Sequence, residues 1–443
     1  MKMDQRVEYV VGILLDMSCE ELINLPSWLT YGSQMEVGDK PHVHIMASGF
    51  FGTFYGTKGS LPDLPLREVE GTPLLFGTPI VEKRGNLLMI HADIIASAYF
   101  LLTRYEEWIR CDVRDEHGRF PGKESLPFRA GFLHRPIVNE YAELLRKWAN
   151  EVGIDLPAPK RHFSILLTHD VDYLGPEIGL MPAVRNIASG LLGRRPFRQG
   201  ISDAIVSCGL RRNACDNLDE VIRLDQQLTG LFSLGRCRSL YFFMAGGKSL
   251  YEGGYCLRSV RIRDRLHEVL ASGVGMGLHA SYEAGVNPDK VGIEREALQE
   301  ASGVPIEKNR HHFLAWREPE DGLEIAKAGI RWDSTLGYAD VAGFRLGVCR
   351  PVSLFDPVQR CLIGIEEHPL IIMDCTLDRT NYMNLGEDAA FKYVRVLADA
   401  TFRYQGEFVC LWHNTVLSSI DTSYHKRLYS RMLDYLAGLL QTT

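Results

Sequence analysis

Three places in the chain run an apolar segment straight into groups able to bind a cation or move a proton. Phe163-Ser-Ile-Leu-Leu167 leads into Thr168-His-Asp-Val-Asp172, Val274-Gly-Met-Gly-Leu278 into His279-Ala-Ser-Tyr-Glu283, and Glu407-Phe-Val-Cys-Leu-Trp412 into His413-Asn414. Asp170 and Asp172 lie two apart, so an extended backbone points both side chains the same way. Two carboxylates on one face repel unless a cation or a division of labour separates them. A divalent metal provides both: one carboxylate binds it and the other stays free to take a proton from water. A zinc-type site takes about three protein ligands and one open position. Asp172 and His279 supply two, and the third comes from His312, His311 or Glu283. In Arg310-His-His-Phe313 the strand alternation puts Arg310 and His312 on one side and His311 on the other. Glu283 follows its strand by several residues, where the chain can already have turned, so His312 is the expected ligand. Each feature alone also has a bland reading. The two aspartates could sit in a solvated turn, each histidine could be satisfied in the core or at the surface, and Trp412 could be core or a platform for a sugar ring. Three such junctions in order favour one composite site.

The elements that must position these groups follow from the apolar pattern. After about residue 160, short strands apolar on both faces alternate with helical stretches: Phe163–Leu167, Leu240–Met244, Val274–Leu278, Asn309–Leu314, Ile330–Trp332, Leu370–Met373 and Phe408–Leu411. That grammar is that of a parallel sheet covered on both sides. An open sheet and a barrel both satisfy that pattern; about seven such strands with a long insertion suit an irregular (β/α) barrel, whose catalytic groups collect at the C-terminal strand ends. The expected organisation is a smaller N-terminal α/β domain over residues 1–156, a stiff Leu156-Pro-Ala-Pro-Lys160 linker, and a barrel domain over residues 161–443. In the first part, Asp93 caps a helix with an apolar stripe from Ile94 to Tyr105, and Pro136 opens a second helix that ends near Gly153. Tyr9–Leu15 reads as a first buried strand, with Asp16, Cys19, Glu20 and Glu21 directly after it and no cleavage signal. An insertion at about residues 175–217 holds Arg185, Arg194, Arg195, Arg198, Arg211 and Arg212 against Glu177, Asp203 and Asp216, with Leu and Ile interleaved. It reads as a lid with a solvated basic face, or as a surface that meets a phosphorylated, lipid-linked or membrane-bound substrate.

Composition narrows the class. The 443 residues exceed one ordinary core, and 46% hydrophobic with 24% charged residues is the balance of a globular enzyme. A formal charge of -7 gives no global attraction to nucleic acid. The ten cysteines are scattered without a Cys-x-x-Cys pair, the usage of a reduced, cytoplasmic compartment. A structural zinc site made of cysteines is therefore not expected.

At the strand ends the chain resembles the polysaccharide deacetylase family, whose members carry the NodB homology domain. Thr168-His-Asp-Val-Asp172 resembles its first motif in the spaced Asp-x-Asp form. Gly277-Leu-His279 is similar to the second, Arg310-His-His-Phe313 to the third, Trp332-Asp-Ser-Thr335 to the fourth and Val409-Cys-Leu-Trp-His413 to the fifth. The longer string Trp332–Asp340 followed by Gly343-Phe-Arg345 resembles a bacterial subgroup associated with surface polysaccharides. That subgroup has an N-terminal α/β domain, to which Ala96–Glu107 and Asp115–Phe120 are similar. The resemblance implies metal-dependent removal of acetyl groups from N-acetylated sugars, with a divalent ion, zinc by the donor set, held by Asp172, His279 and a further ligand. It implies Asp170 as general base, His413 as general acid, and Arg310 and Asp333 as the groups that orient them. Two departures stand out: Glu283 occupies the place of the family's second histidine, and the third motif lacks its usual proline. Hydrolysis of another C–N bond, or a metal-free glycan-binding or scaffolding domain, are the alternatives these departures leave open.

Overall fold

The structure is a computed structural model. It describes residues 4–17, 25–33, 40–157, 159–194, 196–211, 213–233, 235–247, 249, 251–252, 255–417 and 424–442. Cys19, Glu20, Glu21, Ala158, Arg195 and Arg212 lie outside the described residues. The chain is mixed α/β and divides into two compact units. One comprises residues 1–165, 313–410 and 439–443, and the other residues 166–312 and 411–438.

In the first unit a four-stranded sheet runs in the order Leu29–Gly32, His42–Met46, Leu87–Ala92, Gly77–Arg84. The first three strands are parallel and the last is antiparallel. Helix Ile94–Leu102 starts at Asp93, whose carboxylate accepts from the Ala96 N–H, and is buried on every side. Helix Ile137–Glu151 begins just after Pro136. The second helix stands where the apolar periodicity puts it; the first stops at Leu102, short of Tyr105, because Arg104 takes a left-handed φ of 51° and Tyr105 opens a separate short helix, Tyr105–Ile109. Tyr9–Leu15 is not a strand: it belongs to a helix, Gln5–Leu15, capped by the Asp4 side chain. Val7, Val10, Val11 and Leu14 fall at helical spacing and are all buried. An apolar run read from Tyr9 omits the first turn and its cap, and β-branched valines imitate a strand.

The rest of this unit includes Trp332–Asp333 pairing parallel with Cys361–Glu367, which pairs antiparallel with Val352–Asp356. That hairpin was not expected, because Cys361–Glu367 alternates buried and exposed residues and reads as surface. The polar residues of the Trp332–Arg345 string brace the N-terminal part. Asp340 accepts from the Gly122 and Lys123 N–H groups at 2.7 and 3.1 Å. Arg345 forms a buried two-pronged pair with Glu107 at 2.9 and 2.6 Å. Phe120, Leu133, Tyr338 and Val341 close a small core beside them.

In the second unit the strands Cys237–Met244, Gly275–Ala280 and Lys308–His311 pair in parallel and in chain order. Strand Ser164–Val171 borders Cys237–Met244 on the other side. The expected parallel α/β sheet is present here in its coarse form, one strand end after another. The last strand ends earlier than expected, at His311, because Phe313 and Leu314 take left-handed φ values of 61° and 53°. Behind the aspartates, on the opposite face of their strand, a fully buried network locks the unit. Asp225 accepts from the Tyr241 and Tyr429 hydroxyls at 3.0 and 2.6 Å and lies 3.1 Å from His169 Nε2. The other His169 nitrogen reaches the Trp412 carbonyl at 2.8 Å, which fixes the backbone just before His413. Asp225→Ala strips three buried partners at once. Removing one member of a buried charged set costs about 3–5 kcal/mol, so urea unfolding should shift by about that much. A change within the ordinary surface range would mean that the network is not a structural tie.

Candidate metal centre

Asp170, Asp172, His279, Arg310, His312 and His413 all belong to the second unit. Strand Ser164–Val171 is buried from Ile165 onward, and Asp170 sits on it almost fully enclosed. Asp172 follows one residue beyond the strand, with 23% of its side chain exposed. Thr168, Asp170 and Asp172 share one face by strand alternation. Strand Gly275–Ala280 presents His279, and the turn after Lys308–His311 presents His312. Where the chain continues past Leu411, the Trp412 N–H donates to the Thr168 carbonyl at 3.0 Å, which puts His413 beside the aspartates.

Arg310 is fully buried, and its Nη1 donates to Thr168 Oγ1 at 2.6 Å and to Asp170 Oδ1 at 3.3 Å. Its guanidinium lies 4.6 Å from the Phe242 ring centroid. Asp170 is thereby held from behind, and its Oδ2 faces His279 Nε2 at 3.7 Å.

Asp172 Oδ1 stands 3.2 Å from His279 Nε2 and 4.0 Å from His312 Nε2, and the three ligand atoms all lie within 4.8 Å of one another. The His279 Nδ1 lies 2.9 Å from the Arg310 carbonyl. A carbonyl can only accept, so Nδ1 carries the hydrogen and Nε2 of the neutral ring presents a lone pair. That lone pair aims at a carboxylate oxygen. Both atoms are buried, and neither makes a well-formed hydrogen bond. Leaving each of them unsatisfied would cost about 1–3 kcal/mol, so either a proton or a cation has to lie between them. Zinc bonds of about 2.0–2.2 Å set tetrahedral ligand edges slightly above 3 Å. The Asp172–His279 gap has that size, and the His312 gap is wider by under an ångström. A carboxylate with two imidazoles, one anchored through its other nitrogen by a backbone carbonyl, is the donor set a zinc-type ion prefers.

His413 Nε2 lies 3.8 Å from the other Asp172 oxygen and keeps some exposure. Glu283 is not in the cluster; it sits on helix Tyr282–Val286 and pairs with Lys290. His311 turns to the opposite side, where its Nδ1 meets the Asn309 amide at 2.9 Å. Trp412 is completely buried against Tyr429, with ring centroids 5.3 Å apart, so it is core and no sugar platform. Asp333 belongs to the first unit. There it is fully buried and accepts from the Thr335 N–H at 2.8 Å. Burial first, and then the Asp333 charge, push the Glu367 carboxyl well above its usual range.

Two groups were not read from the sequence. Tyr255 donates to the Val171 carbonyl at 2.9 Å and accepts from the Met244 N–H at 2.7 Å, tying two strand ends together beside the aspartates. Thr168 shares Arg310 with Asp170. Tyr255 also borders a cavity of about 1130 Å³ lined by Tyr173, Glu177, Arg185, Asn186 and Tyr251 among others. Tyr255 carries no motif, whereas Thr168 was visible as the first polar residue after the apolar run Ile165–Leu167.

Electrostatics agree with a site that wants positive charge. Burial pushes the Asp172 carboxyl up, but His413, His279 and His312 outweigh it and hold the group well below its usual range. Burial pulls His279 down, yet Asp170 and Asp172 raise it above the ordinary histidine value. Without a metal, these shifts favour a proton on His279 and a negative charge on Asp172 more than water would. The His279 contribution to stability is complete below about pH 6.5 and is lost as pH rises through its raised folded value; the Asp172 contribution is present above about pH 4 and is lost as pH falls through its lowered one. After chelation, thermal stability should fall as pH rises from 6.5, and His279→Gln should flatten that slope. An equal slope in parent and variant would contradict the pairing.

Residues 3–153 match a family model described as a family of unknown function (DUF7033). No curated protein matches the chain. Among solved structures, the chain is similar to a "putative polysaccharide deacetylase" from Mycobacterium smegmatis, at 13% identity and a TM-score of 0.40, over 63% of this chain and 85% of that one. A likeness at that TM-score carries no argument about fold or reaction, so the functional reading rests on the residues themselves.

Proposed function

We propose that the chain is a metal-dependent hydrolase that removes acetyl groups from N-acetylated sugars of a surface polysaccharide or its precursor. The observation that carries this reading is the convergence of Asp172 Oδ1, His279 Nε2 and His312 Nε2, with the Arg310-held Asp170 beside them. The residues that would hold the ion are Asp172, His279 and His312. When bound, a divalent ion of the zinc type supplies a water of lowered pKa and polarises an acetamide carbonyl.

The chain's own groups divide the remaining work. Asp170 accepts the proton of the attacking water at the oxygen that faces the cluster. Arg310, itself held by the Thr168 hydroxyl, fixes that carboxylate so that proton acceptance needs no side-chain movement. His413, on the other side of Asp172 and partly exposed, is placed to give a proton to the departing amine. Asn414 steadies it: its side-chain amide donates to the Tyr173 and Cys215 carbonyls at 2.8 and 3.0 Å. The sequence resemblance assigns Asp333 to orienting His413. The cavity beside Tyr173 and Tyr255 offers tyrosine rings and amide groups, the surfaces sugars bind.

Asp172→Ala and His279→Ala should each abolish retention of a divalent ion with the circular dichroism unchanged, whereas Glu283→Ala should retain it. Metal analysis of the purified variants checks this, and retention by either of the first two removes that residue from the ligand set. Asp170→Asn keeps shape but cannot take a proton. Acetate release from N-acetylated sugars, lipid-linked sugars and short glycans should drop by about 10²–10⁴-fold while metal content stays at the parent level. Undiminished release would take Asp170 out of the mechanism. No release from any substrate by metal-loaded parent would turn the reading towards another amide or a binding domain.

A further inference from the structure

The insertion forms a helical hairpin, Leu180–Leu191 and Phe197–Ser207. Its two helices meet through small residues. A Cβ on Gly200 would lie 2.7 Å from the Asn186 carbonyl and 3.2 Å from Gly190 Cα. Ala183, Asn186 and Gly190 are the buried face of one helix, and Gly200, Asp203, Ala204, Val206 and Ser207 the buried face of the other. Packing that close leaves no room inside for long side chains, so the large apolar residues are turned outward. Leu180, Val184, Ile187 and Leu191 fall at i, i+4, i+7 and i+11, one stripe of the first helix, and all are exposed. Phe197, Ile201 and Ile205 make a corresponding exposed stripe on the second, and Leu192 at the bend is 67% exposed. A lid over a polar cavity has no use for an apolar outer face, and exposed patches of this extent mark binding surfaces.

The charge says what covers it. Arg185, Arg194, Arg198 and Arg211 are exposed around these stripes, within a segment of six arginines and three acids on a chain whose overall formal charge is -7. Arg185, Arg194 and Arg198 form no ion pair among the described residues. Long apolar side chains rimmed by guanidinium groups suit the boundary between acyl chains and anionic headgroups. No described helix is long and apolar enough to cross a bilayer, so the hairpin would lie in the interface. We propose that the Leu180–Ser207 hairpin docks the protein on an anionic phospholipid surface. Arg185, Asn186 and Gln199 of the same hairpin also line the cavity, so docking would bring that cavity close to the membrane. The proposal does not depend on the reaction assigned to the site.

The test is flotation of the full chain with phosphatidylcholine vesicles, with and without phosphatidylglycerol, at low and high salt. Parent protein should float with the anionic vesicles only, and less at high salt. Val184→Glu with Leu191→Glu should reduce the bound fraction on the order of tenfold or more, and Arg194→Gln with Arg198→Gln by a similar factor. Asp170→Asn should bind like the parent. Circular dichroism confirms that the surface variants stay folded. Failure to bind anionic vesicles, or equal binding by the Val184/Leu191 variant, overturns the proposal. So does concentration-dependent dimerisation of the parent that this variant abolishes, since a second copy would then be the occupant.

Discussion

A carboxylate oxygen and an imidazole lone pair face each other at 3.2 Å, buried and without a hydrogen bond of good geometry between them. Much of the second unit arranges that confrontation. The Arg310 carbonyl fixes the His279 tautomer, and the Arg310 side chain, passing over Phe242, holds Asp170. The same residue thus governs both a candidate ligand and the candidate base, one through its backbone and one through its side chain. The conflict is tolerable only with positive charge in the gap, either a proton or a metal ion. Both occupants want the same place, so metal affinity must rise with pH as the histidine proton is displaced.

The supporting layer lies on the far side of the strand. His169 points away from the aspartates into a network with Asp225, Tyr241 and Tyr429, and its other nitrogen holds the Trp412 carbonyl. The Thr168 backbone carbonyl accepts the Trp412 N–H. The backbone ahead of His413 is therefore clamped twice to the strand that carries Asp170. Such a clamp keeps separate strand ends in register to a fraction of an ångström, the precision proton transfer demands.

How far the sequence foretold this depends on the range of the interaction. Parallel strands buried on both faces read as unbroken apolar runs, so the junctions at Asp170, His279 and His413 were visible. Strand alternation separated His312 from His311, and the Asn309–His311 contact has the sense expected of it. The Gln5–Leu15 helix was misread because its cap and first turn lie outside the apolar run. The Val352–Glu367 hairpin was missed because its second strand is half exposed. Trp412 could not be settled without knowing that Tyr429 packs on it. The His169 network was invisible for the same reason: its partners lie 56 and 260 residues away, and no local pattern encodes such a meeting. Glu283 was left as a rival ligand until its helix carried it to Lys290.

The most direct test of the account is crystallographic. A zinc-loaded crystal measured on both sides of the zinc absorption edge should give one anomalous peak per chain, within about 2.0–2.2 Å of an Asp172 oxygen and of Nε2 of His279 and His312. Asp170 should lie close by but outside the coordination shell. A peak elsewhere, a shell that includes Glu283, or no peak at all with the Asp172–His279 gap still at hydrogen-bonding distance would contradict the central claim that this gap is built for a metal ion.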